Sequence, residues 1–359
     1  MKFSNALIIC CLSVYAVFAQ NSQKRPDLPF IKGVYGNPGA LLSEGQTFQK
    51  LGVNAVFVRS AVLNERFFNA AKQEGVRVYV EFPTLNGEEY LAEHPAAWPI
   101  NEKGERAPQA DWFMGICPTD QGFREYRFQQ LRSILTQFPV DGIWLDYLHW
   151  HAQFETPDPI LPETCFCNRC LSKFENDMGV KIPLGETPKK AMWILANNES
   201  NWRTWRSRVL TGWVVDMKTT VNELRPGALL GIFYCPWFPT DFNGALYKTM
   251  GLDLKALADV ADVFSPMLYH RMMGRPTSWV HEYTLWLGTR SGIIKGESPL
   301  IWPIVQAHNK PDVVDAKEFL EVMQNGSTPP SSGVMMFSEG SMIEDPGKLE
   351  VMKQFYNKR

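Results

Sequence analysis

The sequence has no basic run, no glycine-rich phosphate-binding motif and, beyond its N-terminus, no long apolar run. Its 36 lysines and arginines are balanced by 38 aspartates and glutamates, for a formal net charge of −2. Without a basic patch, nucleic acid is not an expected partner. Without a long apolar run, no membrane span is expected in the mature chain. Without the glycine motif after the first predicted strand, neither a dinucleotide-binding open sheet nor an organic cofactor is expected.

The N-terminus has the pattern of a signal peptide. Lys2 precedes an apolar run at residues 6–17, and Val17-Phe18-Ala19 puts small residues at the positions that signal peptidase requires. The run is too short for a spanning helix. We therefore expect residues 1–19 to be a signal peptide and residues 20–359 to be a single domain. The protein is expected to be exported, with a bacterial-type signal, to the periplasm or the extracellular space.

Eight short apolar segments alternate with stretches of helical periodicity. Apolar strands separated by helices indicate a parallel sheet covered on both faces. Eight such units predict an α/β fold, a closed (β/α)8 TIM barrel, with long loops after strands 3 and 4 at 84–123 and 149–200. Helices are predicted around 121–138 and 200–227. The predicted strands are 30–38, 53–60, 76–83, 141–148, 228–237, 261–270, 300–308 and 333–340.

Polar residues gather where these predicted strands end, which is where barrels of this kind carry their active sites. We expect most of them to line one pocket and to bind substrate, although structural roles such as a rim ion pair, loop histidines or a turn cap are the alternatives. The expected substrate-binding residues are Tyr35, Arg59, Tyr147, His149, Tyr234, Trp237, Asp241, Tyr269, His270, Gln306 and His308. Trp98, Trp112, Trp150 and Trp237 are candidate stacking platforms for sugar rings.

Asp146 is the strongest catalytic candidate. It lies in DGIWLDYLHW (141–150), among apolar and aromatic neighbours, and an isolated buried carboxylate is costly unless it is paired or faces a cavity. Glycoside hydrolysis needs two carboxylates, one to protonate the leaving oxygen and one to act as nucleophile or to activate water. Glu339 is the preferred partner and Glu81 the second choice, the alternative for Glu81 being a structural ion pair with Arg59.

The cysteines form a candidate metal site. Of seven cysteines, Cys10 and Cys11 lie in the predicted signal peptide, which leaves an odd number in an exported chain. CFCNRC supplies Cys165, Cys167 and Cys170, and GICPTD supplies Cys117. Four thiolates suit a tetrahedral structural zinc, whereas three cysteines so close together cannot all pair with one partner. A single disulfide from Cys117 with two free thiols is the alternative, since exported proteins usually oxidise their cysteines.

These motifs resemble family 42 glycoside hydrolases, the β-galactosidase-type barrels. GICPTD before the fourth strand and CFCNRC after it are similar to the zinc-binding cysteines of that family, so the resemblance implies zinc ligation by Cys117, Cys165, Cys167 and Cys170. DGIWLDY, WPIVQA and GVMMFSEG are similar to uncharacterised glycosyl-hydrolase-like barrels. The catalytic pair of family 42 is not carried over, because strand four ends in Leu145-Asp146-Tyr147 and strand seven carries Gln306.

The sequence is therefore consistent with two main functions. The first is a secreted or periplasmic glycoside hydrolase acting on a poly- or oligosaccharide through paired carboxylates. The second is a carbohydrate-binding barrel without hydrolytic activity, which the missing family 42 pair favours. A metal-dependent hydrolase of another class is a weaker third, because the strand ends lack the histidine pattern of a catalytic zinc site.

Overall fold

The computed structural model describes residues 28–110 and 112–359; the predicted signal peptide lies outside these residues. Nine strand segments form one parallel sheet. The strands are β1 (Ile31–Gly36), β2 (Ala55–Arg59), β3 (Arg77–Pro83), β4 (Gly142–Asp146), β5 (Leu229–Tyr234), β6 (Val263–Leu268), β7 (Leu300–Ile301), β8 (Ile304–Gln306) and β9 (Gly333–Phe337).

The sheet closes into a barrel of eight staves. Each strand from β1 to β6 pairs in parallel with the next, β8 pairs with β9, and β9 returns to β1. The short segments β7 and β8 both pair with β6, so together they form the seventh stave. The predicted (β/α)8 barrel is confirmed, and each predicted strand coincides with a stave.

Helices cover the outside of the barrel and extend its loops. Several begin where a short polar side chain accepts the hydrogen bond of a first-turn N–H, as Asp120 does from Phe123 at 2.9 Å. No helix in the described part of the chain is long and apolar enough to cross a membrane. The α-helices are α1 (Gly39–Ser43), α2 (Phe48–Leu51), α3 (Glu65–Gln73), α4 (Glu88–Glu93), α5 (Gln121–Gln137), α6 (Asn168–Met178), α7 (Thr187–Asn197), α8 (Glu199–Leu224), α9 (Ala245–Lys248), α10 (Leu254–Ala258), α11 (Ser278–Thr289), α12 (Ala316–Gly326), α13 (Glu339–Glu344) and α14 (Pro346–Asn357).

The two long loops, after β3 and after β4, pack against each other. His151 of the second loop accepts a hydrogen bond from the Gly115 N–H at 3.1 Å and contacts the Pro108 carbonyl at 2.5 Å through its other ring nitrogen. The Phe166 N–H donates to the Ile100 carbonyl at 2.8 Å. These bonds join the two loops into one wall above the barrel.

Three of the predicted strands differ in detail from the structure. The stretch 300–308 is broken into β7 and β8 because Pro303 has no N–H to donate to the ladder. The eighth stave ends at Phe337, and Glu339, expected at its end, is instead the first residue of α13. Tyr269 and His270 likewise follow the end of β6 rather than belonging to it.

A layer of aromatic rings fills the lower barrel. Tyr79 stacks on Phe57 with ring centroids 5.0 Å apart, and Trp144 stacks on Trp302 at 5.4 Å. The Trp144 indole donates to the Ser265 hydroxyl at 2.9 Å. Gly231 provides the room for this ring, because a Cβ there would lie 2.1 Å from Trp144 Cε2. The layer forms a dry floor beneath the mouth of the barrel.

We expect Gly231→Ala to destabilise the fold by about 1–3 kcal/mol, because the added methyl overlaps the buried Trp144 ring. The measurement is the free energy of unfolding in urea, followed by tryptophan fluorescence. Gly212→Ala in α8 is the matched control: its Cβ would meet nothing within 4 Å, so a gain of about 0.5–1 kcal/mol is expected. Equal stability of Gly231→Ala and the native protein would contradict the packing of this floor.

Candidate functional site

The next inward-facing side chains above the aromatic floor line a cavity. Because alternate residues of a strand face the same side, residues two positions beyond Phe57, Tyr79 and Trp144 also point inward. These are Arg59, Glu81 and Asp146, and all three line a cavity of about 810 Å³ at the carboxyl ends of the strands. This volume lies in the range that encloses a drug-sized ligand. The same layer contributes Tyr35, Phe233, Met267 and Phe337.

Glu81 and Asp146 are the two carboxylates on the barrel wall. Their strands are adjacent, with Pro83 paired to Asp146, so Glu81 is diagonal to it. Burial raises the pKa of Glu81 to about 8, with a further increase from Asp146 and an opposing effect of Arg59 and Arg127. Burial also raises the pKa of Asp146, to about 6, while the Tyr147 N–H that donates to its Oδ1 at 2.9 Å opposes the increase. Asp146 is therefore the first of the two to ionise.

A third carboxylate, Glu155, lies in the loop after β4 and also lines the cavity. Burial raises its pKa to about 8, and the charge of Asp146 adds to the increase. Sequence reasoning missed Glu155 because it lies in an irregular loop, where no periodicity indicates which way a side chain points. Its position between Phe154 and Thr156, only nine residues after Asp146, is the one signal that the sequence offers.

Arg59, at the end of β2, places a positive charge on the barrel wall of the cavity. Arg59 pairs with Glu81 in the β2–β3 register, and its guanidinium lies 5.9 Å from the centre of the Tyr35 ring. Burial lowers the pKa of Arg59, but a hydrogen bond with Tyr35 and the electrostatic influence of Tyr35, Glu339 and Glu81 outweigh burial and raise it. Glu339 itself is not on the cavity wall. Its carboxylate occupies the space beside Gly36, where a Cβ would lie 1.7 Å from Glu339 Oε2.

Two histidines on the cavity wall are neutral. Burial lowers the pKa of His149 to about 4, and its Nδ1 lies 2.8 Å from the Trp150 carbonyl, so Nδ1 carries the proton and Nε2 is a free acceptor. Burial, with Lys310 and Lys348 nearby, lowers the pKa of His308 to about 4. Its Nδ1 accepts from the Lys310 N–H at 3.2 Å, which leaves Nε2–H as a donor. Both Nε2 atoms are buried, and neither has a hydrogen-bond partner in the part of the chain that the structure describes.

The loop wall adds an exposed aromatic face at the mouth. Trp112 lines the cavity with 42% of its surface exposed, whereas Trp98, Trp150 and Trp237 lie elsewhere. Tyr147, whose ring packs 4.9 Å from Phe113, has φ of 51°, an unusual backbone conformation for a residue with a side chain. Such conformations concentrate at functional sites. Of the predicted stacking platforms, Trp112 is the one that the structure brings to the cavity.

Five of the predicted substrate-binding residues lie away from the cavity. Gln306 satisfies its amide by accepting from the Arg271 and Met272 N–H groups and donating to the His308 and Lys310 carbonyls. The other four are Tyr234, which packs its ring on Phe264; Trp237, which packs on Phe242; Asp241, which pairs with Arg275 at 3.1 Å; and His270, which bonds Glu318 at 2.7 Å. Tyr35, Arg59, Tyr147, His149, Tyr269 and His308 do line it.

The four predicted metal ligands come together where the two long loops meet. The Sγ atoms of Cys117, Cys165, Cys167 and Cys170 all lie within 4.8 Å of one another, and none is in a disulfide. Cys117 Sγ is 3.4 Å from Cys170 Sγ and 3.8 Å from Cys167 Sγ, close to the edge of about 3.8 Å that four sulfurs around one zinc would form. Among the described residues this is the one group with the spacing of metal ligands.

The fold and the site together define a (β/α)8 barrel with a carboxylate-lined cavity at the carboxyl ends of its strands. No protein-family model matches the chain, and a search of curated protein sequences finds no match. Solved structures with the same fold include glycoside hydrolases.

Three solved structures illustrate the likeness. The β-galactosidase of the psychrophilic Marinomonas ef1 is 12% identical, with a TM-score of 0.65 over 91% of this chain and 59% of that one. Gan42B, a GH42 β-galactosidase from G. stearothermophilus, is 13% identical, with a TM-score of 0.66 over 92% of this chain and 57% of that one. The PgaB (BpsB) glycoside hydrolase domain of Bordetella bronchiseptica is 13% identical, with a TM-score of 0.66 over 90% and 98%.

The chain thus spans less than two thirds of the two β-galactosidases and nearly all of the PgaB domain. At these identities the likeness shows the fold that this chain shares with glycoside hydrolases. The predicted resemblance to glycosyl-hydrolase barrels is confirmed at that level.

The raised pKa of Glu155 predicts a pH-dependent stability. The folded protein holds this proton up to about pH 8 and the unfolded chain only to the ordinary 4.5, so the free energy of unfolding falls as pH rises between these values. Glu155→Gln has no carboxyl group to ionise, so this part of the fall in the free energy of unfolding is absent. We expect its stability relative to the native protein to grow between pH 5 and pH 8, by on the order of 2 kcal/mol.

Urea unfolding at pH 5, 6, 7 and 8 measures this difference. Glu44→Gln, on the exposed end of α1, is the control for loss of one glutamate. Parallel curves for Glu155→Gln and the native protein would show that Glu155 is well solvated.

Proposed function

We propose that the protein is a glycoside hydrolase in which Asp146 acts as a charged carboxylate and Glu155 as the general acid. The observation that supports this proposal is that two carboxyl groups with different pKa values line one cavity. The pKa of Asp146 is about 6 and that of Glu155 about 8, both raised mainly by burial. Titratable pairs whose pKa values are pushed apart are the usual basis of acid and base assignments. Near pH 7, Asp146 is ionised and Glu155 is protonated.

These two states supply what glycosidic cleavage requires. Glu155 donates its proton to the glycosidic oxygen as the bond between this oxygen and the anomeric carbon breaks. Asp146 either attacks the anomeric carbon or removes a proton from an attacking water. In either case the positive charge that develops on the sugar lies against an ionised carboxylate in a poorly hydrated cavity, where the attraction is strong. Glu155 regains a proton from water in the step that completes hydrolysis.

Glu155 is a better candidate for the proton donor than Glu81 or Glu339, the two partners expected from the sequence. Glu81 is next to Arg59 in the sheet and is also influenced by Arg127, and both cations favour its ionised form. Glu339 lies beside Gly36 and does not line the cavity. Glu155 lines the cavity, and the main influences on its proton are burial and Asp146. We propose that the protonated carboxyl group of Glu81 and the guanidinium of Arg59 orient substrate beside Asp146.

Recognition of the sugar follows from the rest of the wall. We propose that the exposed face of Trp112 stacks on a sugar ring at the mouth. On the cavity wall, Arg59 and Tyr269 contribute a guanidinium and a phenol that would bind hydroxyl groups. We expect the substrate to be a carbohydrate outside the cell or in the periplasm, in keeping with the predicted signal peptide.

We expect Asp146→Asn to lower kcat by about 1,000-fold or more, because no charge then opposes the developing cation. Glu155→Gln should lower kcat by about 100-fold or more on methyl glycosides but much less on 4-nitrophenyl glycosides, whose leaving group needs little protonation. Steady-state kinetics on a panel of 4-nitrophenyl glycosides identifies the sugar and provides the assay.

Asp158→Asn is the matched control, an exposed aspartate of the same loop. Its activity is expected to equal that of the native protein. Full activity of Asp146→Asn would remove Asp146 from the mechanism. Glycan binding without turnover of any substrate would support a carbohydrate-binding barrel instead, the function that the absent family 42 catalytic pair favours.

We also propose that the four cysteines bind a structural zinc ion. The donor set is four thiolates with tetrahedral spacing, which suits zinc. Backbone N–H groups already point at two of the sulfurs, from Ile100 to Cys165 at 3.3 Å and from Cys170 to Cys167 at 3.5 Å, as in metal–thiolate sites whose ligands are fixed by surrounding hydrogen bonds. All four positions are protein ligands, so the ion would stabilise the loops and take no part in the reaction.

The purified protein is expected to contain about one zinc per chain by elemental analysis. Cys170→Ser should lose the metal and melt at a lower temperature, because binding energy at such a site contributes to folding. Cys235→Ser is the control, since this thiol is buried at the cavity and outside the cluster; it should keep its zinc. A disulfide from Cys117 in protein without metal, detected by peptide mass spectrometry, would contradict the proposal.

A further inference from the structure

The cavity wall is divided into a polar arc and an apolar arc. Going round the barrel, the upper inward positions of β1 to β4 carry Tyr35, Arg59, Glu81 and Asp146. The corresponding positions of β5, β6 and β9 carry Phe233, Met267 and Phe337. Because neighbouring staves are also neighbours in space, all the charges of this layer lie on one half of the ring.

Loops extend the apolar arc toward the mouth. Leu252, Met272 and Cys235 line the cavity on this side. Within the folded chain Phe233 is 4% and Met267 is 7% exposed, so the arc already packs closely against its own neighbours. Tyr269 and His308 flank Phe337 with ring centroids 4.8 Å and 5.3 Å away. The segments after β8 and β9 add further polar groups at the mouth: Asn309, Lys310, Ser338, Ser341 and Glu344. The uninterrupted apolar part of the arc is therefore that of β5 and β6, with Phe233, Met267 and Met272.

A ligand in this cavity meets two different chemical environments. A hydroxyl-rich ring against the apolar arc would leave hydroxyl groups without partners, which is costly. An apolar group there gains about 25 cal/mol for each Å² removed from water. The polar arc has the opposite preference, because it presents donors and acceptors to a sugar.

The position of Glu155 indicates which part of a glycoside faces the apolar arc. The ring of Phe154, the residue before Glu155, packs against Trp237, which follows β5 on the apolar side, with ring centroids 6.1 Å apart. In keeping with this position, the Glu155 carboxylate adds to the increase that burial causes in the pKa of the Cys235 thiol and of the Tyr269 phenol. Phe154, its neighbour in the chain, lines the cavity too. The proton donor is therefore on the side of the apolar arc, and the leaving group receives its proton there.

We propose that the enzyme cleaves glycosides whose leaving group is an apolar ring or chain, seated against Phe233, Met267 and Met272, with the sugar held by the polar arc. This inference rests on the proposed glycosidase function and adds the chemical class of the aglycone. Linkages between two sugars are then poor substrates, because a second sugar would face the apolar arc. Part of the 810 Å³ cavity is room for the aglycone.

The test compares two aryl glycosides of the sugar that the panel identifies. The 4-ethylphenyl and 4-(hydroxymethyl)phenyl leaving groups have nearly the same size and acidity and differ in polarity. We expect kcat/KM to favour the 4-ethylphenyl glycoside by about tenfold, the discrimination typical of a small apolar difference in an apolar pocket. Met267→Gln keeps the side-chain length and should reduce the preference to about twofold or less.

Met192→Gln is the matched control, because Met192 on α7 is 67% exposed and does not line the cavity; its preference should stay tenfold. Equal kcat/KM for the two glycosides, or a preference that Met267→Gln leaves unchanged, would overturn the inference while the glycosidase function stands. Hydrolysis of oligosaccharides without hydrolysis of aryl glycosides would do the same. Turnover of no glycoside at all would overturn the proposed function and this inference with it.

Discussion

The poor hydration of the upper barrel is the constraint on which the site depends. The stacked rings of Phe57, Tyr79, Trp144 and Trp302 close the barrel from below, so the next inward layer is open to solvent only at the mouth. Charge is expensive in such a position. The carboxyl groups of that layer and of the adjoining loop therefore hold their protons to unusually high pH, and the order in which they ionise determines their chemistry.

That order follows from local contacts. Asp146 accepts a backbone hydrogen bond from Tyr147, which stabilises its charged form, and the left-handed conformation of Tyr147 belongs to the same turn. Asp146 in turn disfavours a second negative charge nearby, so it contributes to the raised pKa of both Glu81 and Glu155. Burial is the main reason that Glu81 and Glu155 stay protonated, the charge of Asp146 adds to it, and Arg59 opposes it at Glu81.

Much of the barrel wall was predictable because it obeys a period of two. Arg59 and Asp146 end strands that the sequence marks clearly, and Glu81 lies two residues before the end of a third. All three point inward with the aromatic residues two positions earlier. The same rule separates Tyr234 from the site: Phe233 and Cys235 line the cavity, so the residue between them faces away. Gln306 was beyond prediction because its amide bonds backbone from two loops. Glu155 was missed because only tertiary packing orients a loop side chain.

The cysteine cluster has a consequence for the loop that carries Glu155. Cys165, Cys167 and Cys170 follow it in the same loop, and Cys117 belongs to the neighbouring one, so the cluster closes the wall a short distance along the chain from the proposed acid. His151, four residues before Glu155, bonds the neighbouring loop from the other side. Glu155 is therefore held between two attachments, which limits its freedom to turn toward solvent. Its raised pKa requires burial, and burial of a loop carboxyl requires such attachments. The cysteine cluster would then influence the acid without touching it, by keeping closed the wall that excludes water.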